Sequence, residues 1–168
     1  TDTWELPLDD RRPFHWALEF PDIWPEDDES PGGFDLAVGN PPWVSYGLRG
    51  TDALSEAEKT YLRDRFTRSA EYKLPLYPLF MELGVQLTRP GGVSSFIVPD
   101  SFLTGSRFSK VRRLLLEDDA LAELTVLGEG IWRRATAGRS VIYRARHGAD
   151  ADPTVDIREV ETPEALTG

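Results

Sequence analysis

The 168-residue chain contains no cysteine, and no apolar run in it approaches the roughly twenty residues that a membrane helix needs. The first absence excludes a disulfide framework and any cysteine-ligated zinc site. The second, together with the lack of a cationic, apolar leader, leads us to expect a cytoplasmic chain with no membrane partner. Basic charge is also scarce, 19 lysines and arginines standing against 29 aspartates and glutamates for a formal net charge of −10. Bulk electrostatics of that sign cannot hold a phosphate backbone. Nucleic acid would have to be met by local groups of cations, at Arg107, Lys110, Arg112 and Arg113 or at Arg133, Arg134 and Arg139. Each group also reads as ordinary solvent-facing charge, the first more so than the second. The two histidines, His15 and His147, have no partner at a spacing that serves catalysis or metal binding.

What is present reads as an α/β unit. Phe14, Trp16, Leu18 and Phe20 alternate with His15, Ala17 and Glu19, a period-two pattern that predicts a strand ending at Pro21. An acidic segment over residues 25–31 comes next as a solvated loop, and Phe34 to Gly39 then form a second, apolar strand of the kind buried at the centre of a sheet. Ser55-Glu56-Ala57-Glu58 is a capping-box signature opening a helix through about Thr67. Leu76, Leu79, Phe80, Leu83 and Leu87 recur at helical spacing until Pro90-Gly91-Gly92 stops them, and Val93 to Val98 make the next strand. Strand, helix, strand in that order is the pattern of a mostly parallel, doubly wound sheet. Phe108, Val111, Leu114 and Leu115 give a further apolar helical face. Leu121 to Leu127 and Ser140 to Ala145, with no helix between them, predict an antiparallel strand pair at one sheet edge. The chain divides into a flank with one strand and the acidic loop (1–33), a central α/β part (34–147) and an acidic tail (148–168).

One segment carries chemistry. Phe34 to Trp43 read Phe-Asp-Leu-Ala-Val-Gly-Asn-Pro-Pro-Trp, an apolar strand that runs directly into a rigid polar tip. Pro41 forces Asn40 into an extended conformation, and Pro42 stiffens the next step of the chain. Such a tip suits an exocyclic aromatic amine, whose lone pair is delocalised into its ring and makes it a poor nucleophile. The Asn40 side-chain carbonyl and the Pro41 main-chain carbonyl can each accept one amine N–H, stabilising the positive charge that grows as the nitrogen attacks an electrophilic methyl. Trp43 offers a flat face on which a base can stack. A base inside a duplex cannot reach such a site, so the nucleotide would have to be flipped out. Without that chemistry, Asn40 to Trp43 would be an Asx-Pro turn closing a strand.

These residues resemble the catalytic motif of N6-adenine DNA methyltransferases of the restriction-modification (type IIG-like) and phage-defence kind. Leu76-Tyr77-Pro78-Leu79-Phe80, Arg89-Pro90-Gly91-Gly92, Ser95-Phe96-Ile97-Val98-Pro99 and Ser101-Phe102-Leu103-Thr104 occur in that family's order, over roughly Phe14 to Arg146. The resemblance implies a partial Rossmann-like methyltransferase fold, the C-terminal half of a catalytic domain. It implies S-adenosylmethionine as cofactor, met by Asn40, Tyr77 and Phe80. It implies double-stranded DNA with a flipped adenine as substrate, the base held by Trp43 and by Trp132 in the connection Gly128 to Thr136. The family's glycine-rich cofactor turn has no match, Gly128-Glu129-Gly130 being the nearest and falling too late, and Pro75 stands where the family commonly has an acidic residue. The expectation is therefore a fragment of a larger protein, with a cofactor-binding N-terminal half and a target-recognition domain outside it. Other readings remain: a non-catalytic scaffold or DNA-binding module, a methyltransferase acting on RNA or a protein amide, or a Mg²⁺-dependent nuclease built on Pro21-Asp22 and Glu71-Tyr72-Lys73.

Overall fold

The computed structural model describes residues 14–24, 31–44, 54–71, 73–132, 138–148 and 154–166. Residues 25–30, Tyr72, Arg133 and Arg134, and the stretch 149–153 lie outside them. Five strands form one sheet: β1 (Phe34–Gly39), β2 (Thr88–Pro99), β3 (Asp119–Leu127), β4 (Ser140–His147) and β5 (Asp156–Val160), in spatial order β1-β2-β4-β3-β5. β1 pairs with β2, and β3 with β5, in parallel; β4 is antiparallel to both its neighbours. Four strands thus point one way and β4 alone runs against them, the mostly parallel α/β sheet that the sequence predicts. The helices are α1 (Trp16–Glu19), α2 (Glu56–Arg65), α3 (Leu76–Leu87), α4 (Ser101–Thr104) and α5 (Ser109–Arg113), the last continuing as a π-turn over Leu114–Asp118. No helix among the described residues is long and apolar enough to cross a membrane.

Alternation along the strands fixes the core. Phe96 and Val98 of β2, Val141, Tyr143 and Ala145 of β4, and Leu121 and Leu124 of β3 meet Tyr77 and Met81 of α3 and Val111 and Leu115 in one buried cluster. A smaller cluster of Leu54, Ala70, Leu74 and Leu79 lies under the α2–α3 connection. The capping box at Ser55 forms as predicted, Glu58 N donating to Ser55 Oγ at 3.2 Å and Ser55 N to Glu58 Oε2 at 2.9 Å. Its helix ends at Arg65, two residues early, where the Phe66 amide closes on the Leu62 carbonyl.

Four expectations are corrected. Residues 16–19 form the short helix α1 and no strand, so the flank's predicted strand is absent. The aromatics respond to one another: Trp16 and Phe20, four apart, stack at 6.0 Å, and both pack edge-on against Phe34. That i, i+4 contact needs helical spacing, and it overrides the alternation. β1 is the second, since it stands at the sheet edge with Leu36 at 55% and Val38 at 72% exposure. Its apolar run answers to cover on both faces, whereas the described residues cover one. Third, the acidic tail supplies β5, whose register against β3 runs from Glu123↔Asp156 to Leu127↔Val160 and makes β5 the outer strand beyond the antiparallel pair. Pro90-Gly91-Gly92 also lies within β2, at the register shift where Phe34↔Thr88 gives way to Leu36↔Val93. Gly33, at φ +138°, fits against the Arg89 backbone there, where a Cβ would approach within 2.5 Å of the amide.

Gly84 shows how tightly α3 sits on the sheet. A Cβ at this position would lie 2.7 Å from two carbons of the Phe96 ring. That ring is itself held edge-on by Tyr143 at 6.1 Å. Gly84→Ala is therefore expected to destabilise the fold by about 1–3 kcal/mol, the cost of overpacking, despite alanine's better helix propensity. Equilibrium urea unfolding checks this; an unchanged midpoint would show that α3 and the ring move apart freely.

Candidate active site

Parallel pairing of β1 with β2 ends at Gly39↔Phe96, and the chain leaves the sheet at Asn40. Asn40 and Pro42 are exposed, Pro41 is buried and Trp43 is half-buried. The tip is fastened at its far end, where the Leu76 amide at the start of α3 donates to the Val44 carbonyl at 3.0 Å. Just ahead of that helix, Lys73 and Leu74 both hold positive φ, at 65° and 42°. Left-handed backbone at a β-carbon-bearing residue costs free energy, and burial of the Leu74 side chain in the smaller cluster offsets it. The Trp43 indole N–H reaches the Ile97 carbonyl of β2 at 3.4 Å.

Beside the tip lies a cavity of 460 Å³. Asn40, Pro41 and Pro42 line one end, and Leu36, Val38, Phe80 and Phe96 are among the residues lining the rest. Its walls are largely apolar, with Asn40 providing a polar side chain at the mouth. Size and lining suit a small ligand with a flat apolar part. Phe80, 40% exposed on α3, is available to such a ligand.

The remaining predicted site residues lie outside this lining. Tyr77 is 4% exposed in the core, its ring 5.5 Å from Phe108 and its hydroxyl 3.3 Å from Ser101 Oγ. Burial pushes its pKa up to about 12, against the pull of the Ser101 hydrogen bond. Trp132 comes directly after the 3-10 turn Glu129–Ile131 and donates its indole N–H to Ser140 Oγ at 3.1 Å. Because Pro99, Ser140 and Leu127 are register partners, Trp132 stands at the same end of the sheet as Asn40, with β2 between β1 and β4. The structure thus joins Asn40, Pro41, Pro42 and Phe80 round one cavity, leaves Trp43 on its β2 side, and sets Tyr77 and Trp132 apart.

Sequence reading missed Trp16, Gly84 and Phe96 as cavity residues. A glycine within the leucine-spaced helix was a legible signal of close approach; for Trp16 there was none. Several charged residues singled out in the sequence serve the fold. Glu71 accepts from Ser109 Oγ and the Lys110 amide at the start of α5, so both its oxygens cap that helix. Lys110 Nζ donates to the Ala70 carbonyl, and one Arg112 nitrogen donates to the Phe102 and Gly105 carbonyls at 2.7 Å each. No group of three candidate metal-binding side chains occurs among the described residues.

Solved structures share this sheet, mostly parallel with one antiparallel strand inserted, among them that of a putative class I S-adenosylmethionine-dependent methyltransferase from Listeria monocytogenes, with a TM-score of 0.61 at 18% identity over 80% of this chain and 40% of that one. That of the type IIG restriction endonuclease BpuSI superposes with a TM-score of 0.60 at 22% identity, over 77% of this chain and 15% of that one. The chain belongs to the Eco57I restriction-modification methylase family, whose model matches residues 3–132. Type II methyltransferase M.TthHB8I of Thermus thermophilus is 34% identical over 131 residues, covering 74% of this chain and 29% of that protein. RM.MjaORFECS2P of Methanocaldococcus jannaschii is 31% identical over 131 residues, 78% of this chain and 10% of its own length. The chain therefore spans less than a third of either relative.

The Tyr77 environment yields a signed expectation. A phenol that ionises near 10 when unfolded and near 12 when folded gives stability that is complete below pH 10 and is lost as pH rises through 12. Tyr77→Phe should flatten that alkaline decline while costing little at neutral pH, since the ring contact with Phe108 is kept. Thermal melts between pH 8 and 12 measure it, and identical slopes for both proteins would place the phenol in contact with water.

Proposed function

We propose that this chain carries the catalytic half of a DNA methyltransferase that transfers a methyl group to the N6 amine of adenine, within a larger restriction-modification or phage-defence protein. The observation that carries the reading is the placement of Asn40 and Pro41 in the lining of the cavity, in a chain whose family is one of restriction-modification methylases. Asn40 and Pro41 offer two carbonyl oxygens to the two hydrogens of the amine. Accepting both draws the lone pair away from the ring and stabilises the ammonium character that develops as the new C–N bond forms. The prolines hold those acceptors without reorganisation. Trp43 and Trp132 supply aromatic surface for an extruded adenine in double-stranded DNA.

The residues present fit S-adenosylmethionine in part. Asn40 and the exposed Phe80 ring at the cavity are the groups that would hold it, while Tyr77 supports them from the core. The cofactor supplies an electrophilic methyl group. No glycine-rich turn for its amino-acid end occurs in the sequence. The apolar outer edge of β1, with Leu36 and Val38 uncovered, supports a cofactor-binding half of the parent protein packing there. A flat, apolar, unpaired edge strand is otherwise an aggregation hazard. The target-recognition domain is a further expected partner.

Two measurements test the reading. In the intact parent protein, Asn40→Ala should lower turnover on the order of a hundredfold or more while DNA binding is kept, since one acceptor is removed from a developing charge; full activity would take Asn40 out of the mechanism. Titration calorimetry of this chain alone should show weak or absent binding of S-adenosylmethionine. Micromolar affinity would mean that the chain holds a whole pocket and needs no second half.

A further inference from the structure

The prolines that stiffen the tip leave a gap in the sheet. After Gly39↔Phe96 the parallel ladder would continue through amides of the tip, but residues 41 and 42 are prolines and have no N–H to give. Ile97, the next residue of β2, therefore presents a carbonyl without a backbone donor from β1. The Trp43 indole N–H reaches it at 3.4 Å. We propose that Trp43 is a positioning residue whose indole N–H replaces the missing proline amide, closing the β1–β2 ladder and fixing the height of Asn40 and Pro41 above the sheet.

The proposal extends the methyl-transfer reading and rests on it for its effect on turnover. A residue that only stacks on a base contributes its π face, and phenylalanine or tyrosine would serve as well. A latch needs the N–H. Neither of those rings carries a donor at that position, although both keep aromatic surface. The tip then has three fastenings: the strand pairing at Gly39, the indole on Ile97, and the Leu76 amide on the Val44 carbonyl. Releasing the middle one leaves Asn40 and Pro41 on a span held only at its ends. Effective positioning depends on sub-ångström placement of the acceptors, so turnover should fall while affinity for DNA does not.

The discriminating variant replaces Trp43 by 3-benzothienylalanine, which exchanges the indole N–H for sulfur and keeps ring shape and stacking face. In the intact parent protein kcat should fall about three- to tenfold, the worth of one modest hydrogen bond, with KM for DNA unchanged and with Trp43→Phe matching it. Unchanged kcat in the benzothienyl variant, or a loss confined to KM, would overturn the latch in favour of stacking alone. A second readout is independent of turnover. In this chain the Trp43 indole proton should exchange with solvent several-fold more slowly than that of free indole, followed by NMR with indole-labelled tryptophan. Exchange at the free rate overturns the latch whether or not the parent methylates DNA. Slow exchange in a parent that transfers no methyl group would uphold the latch and instead remove the methyl-transfer reading.

Discussion

Parallel pairing of β1 with β2 is the constraint on which tip, cavity and site all depend. Its register brings Ala37 opposite Ser94 and Gly39 opposite Phe96, so β1 delivers its last residue beside a large ring that faces the helices. The cavity exists because Gly39 and Gly84 leave space around that ring, a Cβ at either lying within 3.5 Å of it. Asn40 then emerges where the pairing stops, and the prolines ensure that it stops there. Position, cavity and rigidity of the tip are three results of one strand pairing.

Much of this was legible in the sequence because it is local. The capping box at Ser55, the leucine spacing of α3 and the strand-to-tip transition at Gly39-Asn40 each depend on residues within a few positions of one another, and each appears as expected. The illegible parts depend on partners distant in the chain. α1 adopts its helix around Phe34, and β5 is a strand because β3 offers it an edge; its own alternation is weak, with Ile157 66% exposed. The site divides the same way. Asn40 and Pro41 were readable from their own neighbours, whereas the burial of Tyr77 depends on Phe108 and Ser101 folding over it.

The negative charge also finds a physical place. Of the first basic group, Lys110 and Arg112 are bound to main-chain carbonyls, and Arg113 stands 3.5 Å from Glu117. These cations close turns and helix ends. Arg139 lies nearer the tip, for its carbonyl accepts the Asp100 amide just past the end of β2, but its guanidinium faces Glu159 of β5 at 3.5 Å.

The tip itself illustrates how stiffness and pairing compete. Prolines at 41 and 42 remove conformational freedom from the tip, and the cost is the ladder donor that an amide at position 41 would have supplied to the Ile97 carbonyl. A buried carbonyl left without a donor is costlier than the hydrogen bond it lacks, and the Trp43 indole N–H, 3.4 Å from the half-buried Ile97, is placed to supply one. Tryptophan combines a broad stackable face with a ring N–H that acts only as a donor. On the methyl-transfer reading proposed above, side-chain donation at Trp43 lets one short segment be both rigid enough to hold an amine and closed enough to end a parallel sheet.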